Sequence, residues 1–247
     1  MMVILNFMII ALITFAAALV QCTSGFGFGM VFMAVIPAIG LIDYKECAVI
    51  SIIASMVLQF FAIIRLWRHI NWKQVLLPVI PAFICGAIGV HVMVGLPQRT
   101  IDLILGIFLW VLAAYMIFIA PRIVLPRNAA TGLTAGAVSG IMGGLFAISG
   151  APIAAYYDAV VDEPLEYQGT IQTFFFITSI NLIVNDFLNG NLTVAMGTPT
   201  IIAIIACLLG TWVGLKIMQR LSMTGVRRIT YCVMLAAGLY YLAKGWL

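Results

Sequence analysis

The run from Gln21 to Gly29, QCTSGFGFG, interrupts an apolar stretch that extends from residue 3 to residue 41. That stretch is too long for one untilted membrane crossing, since about 20 apolar residues span a bilayer. The clustered glycines allow the helical backbone to open. An open backbone at membrane depth is tolerated only where it is buried in protein or lines a cavity. The run therefore predicts a broken helix inside a membrane protein.

The composition of the whole chain indicates an integral membrane protein. Of its 247 residues, 64% are hydrophobic and only 8% are charged, whereas about 25% are charged in a typical soluble domain. The length leaves no room for a separate soluble domain, so we expect one membrane domain over residues 1–247. No Lys or Arg precedes the first apolar run, which indicates a retained membrane segment and not a cleaved signal peptide.

Eight apolar segments are separated by short polar stretches. They cover residues 3–41, 47–66, 75–96, 101–120, 129–157, 167–188, 194–217 and 226–246. Backbone groups in lipid must be paired within their own segment, so these segments predict helices. Their continuous hydrophobicity excludes a barrel, whose strands alternate over about ten residues. The expected fold class is an all-α integral membrane protein.

The chain consists of two related halves, residues 3–120 and 129–246. A shift of 115 residues aligns Ser24-Gly25 with Ser139-Gly140 and Gly29 with Gly144. We expect each half to hold one glycine-broken segment followed by three uninterrupted helices. In the second half, the break is predicted within GIMGG (140–144), with SGAP (149–152) after it.

The distribution of Lys and Arg tests how segment 129–157 runs. If it crosses completely, each side of the membrane carries six positive residues; if it enters and returns, the division is nine against three. The nine are Arg65, Arg68, Lys73, Arg122, Arg127, Lys216, Arg220, Arg227 and Arg228. Because positive residues concentrate on the cytoplasmic side, a re-entrant hairpin and inverted repeats are favoured. A plain eight-span topology is the alternative.

The two broken segments predict a substrate site. A helix that restarts after a break presents unpaired N–H groups and a positive dipole end, and two such breaks could converge on one small anion. The candidate substrate-binding residues are Gln21, Thr23, Ser24, Gly25, Gly27, Gly29, Ser139, Gly140, Gly143, Gly144, Ser149, Gly150 and Gln172. The alternative is helix packing, since several of these glycines have GxxxG spacing.

Polar residues inside other segments are candidates for a transport pathway. They are Gln59, His91, Gln168 and Ser179. Gln168, Gln172 and Ser179 share one helical face, and such a face either lines a pathway or joins helices by hydrogen bonds. For His91, a bond to a backbone carbonyl is favoured over a role in proton coupling.

At QCTSGFGFG, and at GAVSGIMGG followed by SGAP, the sequence resembles the TauE/SafE family of sulfite and organosulfonate exporters. The resemblance extends from about residue 7 to residue 245, with Phe146 to Ser149 standing where the family often has a denser glycine cluster. It implies export of a small anion, such as sulfite or sulfoacetate, across the inner (plasma) membrane. Either the anion's own gradient or a coupling ion, a proton or sodium, would drive it.

The expected partners are a small anionic substrate and the lipid bilayer, and a homodimer is compatible with the sequence. We expect no nucleic acid, because the positive residues lie in loops, and no metal or other cofactor, because the cysteines lack ligand spacing. Two other function classes remain. One is a structural or assembly subunit of the membrane, and the other is an intramembrane serine hydrolase in which His91 would have to serve Ser149 as the base.

Overall fold

The structure of the chain is a computed structural model, which describes residues 2–40, 42–122, 125–217 and 223–246. Within these ranges the chain forms ten α-helices and no strand, which confirms the all-α prediction. The helices are α1 (Met2–Ser24), α2 (Phe28–Ile39), α3 (Tyr44–Leu66), α4 (Trp72–Gly95), α5 (Gln98–Ala114), α6 (Ala129–Phe146), α7 (Gly150–Val160), α8 (Pro164–Leu188), α9 (Gly197–Ile217) and α10 (Met223–Trp246).

Seven stretches of the described residues are helical, long and apolar enough to cross a membrane. They lie in α1, α3, α4, α5, α6, α8 and α9, the last with the short turn before it. The predicted segment 226–246 corresponds to α10, which is helical but is not among the seven. Leu41, at the end of predicted segment 3–41, and Arg220, one of the nine positive residues, lie outside the described ranges.

The first apolar segment is interrupted at residues 25–27. Helix α1 ends at Ser24 and α2 begins at Phe28. Between them, Gly25 has a φ of 81° and Gly27 a φ of 109°. L side chains rarely adopt this left-handed region, so the turn needs glycine at both positions. With 12 residues, α2 is too short to span a bilayer.

The second segment is interrupted later than the sequence predicted. Helix α6 continues through the cluster GIMGG to Phe146, and the chain turns at Ala147–Ser149 before α7 begins. The prediction of a break within 140–144 was therefore wrong. Ala147 takes the left-handed conformation, with a φ of 54°, as Gly25 does in the first break. These two positions are 147 − 25 = 122 residues apart, so the 115-residue register does not align the breaks.

Close contact with α4 explains why α6 is glycine-rich without breaking. A Cβ atom on Gly140 would overlap the carbonyl oxygen of Ala82, and one on Gly144 would overlap that of Gly86. Small residues allow two helix backbones to approach in lipid, where packing drives association. The glycines of GIMGG thus serve this contact, and the backbone opens only after it ends.

The helices of the two halves pair with each other. Helix α6 packs in parallel along α4, since Gly136 lies against Pro78 and Gly144 lies against Gly86. Helix α1 packs along α9. That pair is also parallel: Gly210 and then Gly214 of α9 lie against Phe15 and then Cys22 of α1.

Two further pairs run antiparallel. Gly169, near the start of α8, lies against Leu66 at the end of α3. Near the start of α5, the guanidinium Nε of Arg99 donates to the carbonyl oxygen of Gly245 at the end of α10, at 2.8 Å. If the halves are exchanged, so that α1 to α5 replace α6 to α10, the set of pairs stays the same.

The hairpin formed by α6 and α7 begins and ends at the same place. Arg127 precedes α6, Asp162 follows α7, and the guanidinium NH2 lies 2.6 Å from the carboxylate Oδ1. The hydrogen bond and charge of Arg127 hold the pKa of the Asp162 carboxyl below its ordinary value. The turn of the hairpin lies near the start of α3, where the hydroxyl of Tyr44 donates to the carbonyl oxygen of Leu145 at 2.9 Å.

We predict that Gly140→Ala destabilises the protein. The added methyl group would overlap the backbone of Ala82, and overpacking of this kind costs about 1–3 kcal/mol. Thermal unfolding in detergent should show a lower midpoint for this variant. The control is Gly197→Ala, where a Cβ atom meets nothing within 4 Å. An unchanged midpoint for Gly140→Ala would contradict the packing role.

Candidate functional site

The two interruptions meet inside the protein. A Cβ atom on Gly29, in the first turn of α2, would overlap the carbonyl oxygen of Ala147 in the second break. A Cβ atom on Gly150, the first residue of α7, would lie 3.0 Å from Phe26 in the first break. The N-termini of α2 and α7 are therefore neighbours, and Gly29 is required because its backbone touches the other break.

A cavity of about 40 Å³ lies at this junction. One water molecule needs roughly 10–15 Å³ on the same measure, so the cavity holds a few water-sized groups. Of the candidate residues, those lining it are Gln21, Gly27, Gly29, Gln59, Ser149, Gly150 and Ser179. The candidates predicted from the sequence thus include residues of both breaks, of α3 and of α8 that line this one cavity.

The other candidate residues do not line this cavity. They are Thr23, Ser24, Gly25, Ser139, Gly140, Gly143, Gly144, Gln168 and Gln172, together with His91. The hydroxyls of Thr23 and Ser24 donate to the carbonyl oxygen of Val20 at 2.9 and 2.8 Å. His91 is exposed on α4, and its Nδ1 lies 3.4 Å from Oδ1 of Asn189.

Two buried glutamines fix the open backbone of the first break to α8. Nε2 of Gln21 donates to Oε1 of Gln172 at 3.1 Å, and Nε2 of Gln172 donates to the carbonyl oxygen of Gly25 at 2.9 Å. Oε1 of Gln21 accepts from the backbone N–H of Phe28 at 3.1 Å. Side chains therefore pair the carbonyl of the first residue of the break and the first amide of α2, as a buried backbone requires.

Helix α3 contributes a polar face to the cavity. Ser51, Ser55 and Gln59 follow one another at four-residue intervals, which places them on one side of the helix, and all three line the cavity. The hydroxyl of Ser55 donates to the carbonyl oxygen of Ile52 at 2.9 Å. Its oxygen can then only accept, and Nε2 of Gln59 donates to it at 3.3 Å.

That arrangement leaves Oε1 of Gln59 without a hydrogen-bond partner. The residue is only 3% exposed, and a buried acceptor left unpaired costs about 1–3 kcal/mol. Most buried polar atoms in proteins are paired, so an exception beside a cavity points to a ligand that donates to it. Among the described lining residues, Gln59 is the one with a fully buried side-chain oxygen that lacks a partner.

The field in the cavity comes from backbone dipoles. None of the described residues that line it is Asp, Glu, His, Lys or Arg. Helices α2 and α7 both begin there, and each helix N-terminus carries about half a positive charge and unpaired N–H groups. Among the described residues, the field at the cavity is therefore that of two helix N-termini, with no fixed charge in the lining.

Some lining residues were not among the candidates. Ser51 and Ser55 share the face of Gln59, so their spacing alone would have been a sufficient signal. The apolar lining residues, such as Ile52, Phe175 and Leu182, give no such signal, because the sequence around them is uniformly apolar. Only the packing of the helices identifies which apolar side chains face the cavity.

Two interrupted segments that converge on a polar cavity in a multi-pass helical membrane protein are the arrangement of a secondary transporter. The family model described as sulfite exporter TauE/SafE matches residues 10–241. The chain therefore belongs to the TauE/SafE family, as its motifs predicted, and is a membrane transporter.

One relative is described as the probable sulfite/organosulfonate exporter TauE of Cupriavidus necator. It is 22% identical to this chain over 222 residues, which cover 88% of the chain and 86% of the relative. No solved structure matches the chain. The family match over residues 10–241 includes both interrupted segments.

We predict that Gln21 and Gln172 are energetically coupled. Gln21→Leu or Gln172→Leu alone leaves buried groups unpaired and should lower stability by about 1–3 kcal/mol. The double variant should cost less than the sum, with a coupling of about 0.6–1.7 kcal/mol, the range found between membrane helices. Unfolding of the four proteins in detergent measures it, with Gln168→Leu as the control on the same helix. Additive effects would contradict the coupling.

Proposed function

We propose that the chain exports a small sulfur-containing oxyanion, sulfite or an organosulfonate such as sulfoacetate, through the cavity between the interrupted segments. The observation that carries the proposal is the convergence of the α2 and α7 N-termini on one uncharged polar cavity. Helix N-termini bind oxyanions through their N–H groups and dipole. The relative from Cupriavidus necator is named for the same class of cargo.

The absence of charge among the described lining residues suits transport. A site must bind its cargo well enough to admit it and weakly enough to release it. Backbone N–H groups, the Ser149 hydroxyl and the Gln59 amide provide hydrogen bonds without a salt bridge that would trap the anion. Sulfite matches the size of the cavity, while sulfoacetate, with its second anionic group, requires the cavity to widen.

We also propose that the halves are inverted repeats, each opening with a hairpin that returns to the side it entered. The antiparallel pairs α3 with α8 and α5 with α10 support this, because a two-fold axis in the membrane plane reverses every helix it relates. The contact of Arg127 with Asp162 supports re-entry of the second hairpin. The nine-residue positive side would then be cytoplasmic, in the inner (plasma) membrane.

The hydrolase alternative needs a general base beside Ser149. His91 is exposed, bonds to Asn189 and does not line the cavity. The role of an assembly subunit does not require a polar cavity in which the Gln59 oxygen is unpaired. Both observations favour a transporter, in agreement with the family.

We predict that Gln59→Leu reduces anion transport without loss of stability. The substitution removes the unpaired buried oxygen, so the unfolding midpoint should stay the same or rise. The cargo loses the N–H of the Gln59 amide that is not bonded to Ser55, so sulfite efflux from proteoliposomes should fall several-fold. Ser149→Ala should also slow efflux, because it removes a hydroxyl that lines the cavity.

The control is Thr134→Ala, since Thr134 is exposed on α6 and its hydroxyl bonds within its own helix. It should transport at the wild-type rate. Wild-type efflux by both Gln59→Leu and Ser149→Ala would place the pathway elsewhere. Loss of stability in Gln59→Leu would show that its oxygen has a partner in the folded protein.

We predict that residues 127 and 162 face one side of the membrane and residue 192 the other. Arg127→Cys, Asp162→Cys and Leu192→Cys, each in a protein without its native cysteines, would be tested with an impermeant thiol reagent in right-side-out and inverted vesicles. Re-entry requires the first two to react in the same vesicles and the third in the opposite ones. Reaction of residues 127 and 162 from opposite sides would mean that segment 129–157 crosses the membrane.

A further inference from the structure

A buried carboxylate lies near the end of α8 and takes no part in the cavity. Asp186 is 1% exposed. Its Oδ1 accepts from Nδ2 of Asn191 at 2.7 Å, and its backbone carbonyl oxygen accepts from the N–H of the same residue. No ion pair of Asp186 occurs among the described residues. Its only side-chain hydrogen-bond partner there is neutral.

Asp186 lies on the cavity-lining face of α8. Ser179 and Leu182 both line the cavity. Asp186 is seven residues after Ser179 and four after Leu182, intervals that keep a residue on the same side of a helix. The polar face of α8 thus continues past the cavity to a carboxylate one turn beyond it.

An apolar group separates the cavity from Asp186. Ile52, Val90 and Leu182, from α3, α4 and α8, form a small buried cluster of their own. Ile52 and Leu182 border the cavity. Val90 lies toward the end of α8 that carries Asp186. The next residue in the chain, His91, contacts Asn189, which directly follows α8. The cluster thus lies beside the cavity, toward the end of α8 that carries Asp186.

Charged residues at this end of the protein bind other groups. From α3, Glu46 accepts from the hydroxyl of Thr193 at 2.6 Å, and Nζ of Lys45 donates to the carbonyl oxygen of Val94 at 2.7 Å. Asp43 precedes α3 at the same end. From α4, His91 contacts Asn189.

The other segments packed on α8 bring their charges to its opposite end. Arg68 and His69 lie in the short turn after α3, whose backbone contacts Gly169 near the start of α8. Asp158 lies near the end of α7, beside the start of α8. Neither end of α8 therefore supplies Asp186 with a described cationic partner.

We propose that Asp186 is a proton-binding site that controls passage of the anion between the cavity and this end of the protein. The inference rests on the proposed function, because it requires an anionic cargo. Burial without a cation disfavours the ionised form of a carboxyl group, and an ionised carboxylate on the route repels an anion. One proton from the adjacent solution converts it to the neutral acid and removes the repulsion, and the proton returns to that solution when the carboxyl group ionises again.

Infrared difference titration of the purified protein in detergent tests proton binding without any cargo. The wild-type spectrum minus that of Asp186→Asn isolates the carboxyl band of this residue. We expect the band of the neutral acid to grow over the same pH range in which transport accelerates. A carboxylate that stays ionised throughout that range would overturn the proposal.

Transport is measured with proteoliposomes and methanesulfonate, an anion whose charge stays the same over the pH range of the titration. With equal pH on both sides, wild-type exchange should rise several-fold as pH falls, whereas Asp186→Asn should exchange rapidly at every pH. Unchanged pH dependence in Asp186→Asn would overturn the proposal.

Two further variants complete the test. Asp158→Asn is the control, because its carboxylate lies on α7 and is exposed, and it should keep the wild-type pH profile. Asp186→Glu retains the carboxyl group, so its exchange rate should still depend on pH. It replaces Asp186→Asn in the test if Asp186→Asn does not fold. If no vesicle moves a sulfonate, the proposed function fails, and the infrared titration alone decides whether Asp186 binds a proton.

Discussion

A helix can open inside a bilayer only where other parts of the chain pair the backbone groups that it exposes, and this constraint shapes the centre of the protein. At the first break, the side chains of Gln21 and Gln172 bond to Phe28 and Gly25. At the second, Ala147 holds a left-handed conformation that costs about 1–2 kcal/mol outside glycine. Such a conformation persists where the surrounding structure determines it, here through contact with the first break. Each break thus depends on the rest of the fold.

Glycine has two separate uses in this chain, and the sequence alone does not distinguish them. Gly25 and Gly27 supply positive φ angles in the first break. Gly140 and Gly144 lie inside a regular helix and give α4 room to approach. Gly25 and Gly29 have the same four-residue spacing as Gly140 and Gly144, so the 115-residue alignment matched glycines with different roles. The true second turn centres on Ala147, a residue type that carries no signal for an open backbone.

Most of the fold could be predicted from hydrophobic segments, because lipid requires each segment to pair its own backbone. Part of the candidate site could be predicted from polar residues inside apolar segments, such as Gln59 and Ser179. The rest required tertiary structure. Gln172 shares the polar face of α8 yet bonds to the first break, and Leu182 lines the cavity without any distinguishing pattern. The helical period of 3.6 residues identifies which residues share a face of the helix, but not which other segment that face contacts.

The uncharged cavity proposed to bind the anion and the carboxylate proposed to control its passage lie at different places in the fold. The described residues around the cavity are neutral, so the attraction for an anion comes from two helix N-termini that are fixed in the fold and do not titrate. A site of that kind binds equally well at any pH and cannot by itself make transport depend on pH. Such a dependence needs a titratable group outside the cavity, where its charge changes the barrier to passage and not the affinity. Asp186, one helical turn beyond Leu182 and behind an apolar cluster, has that position.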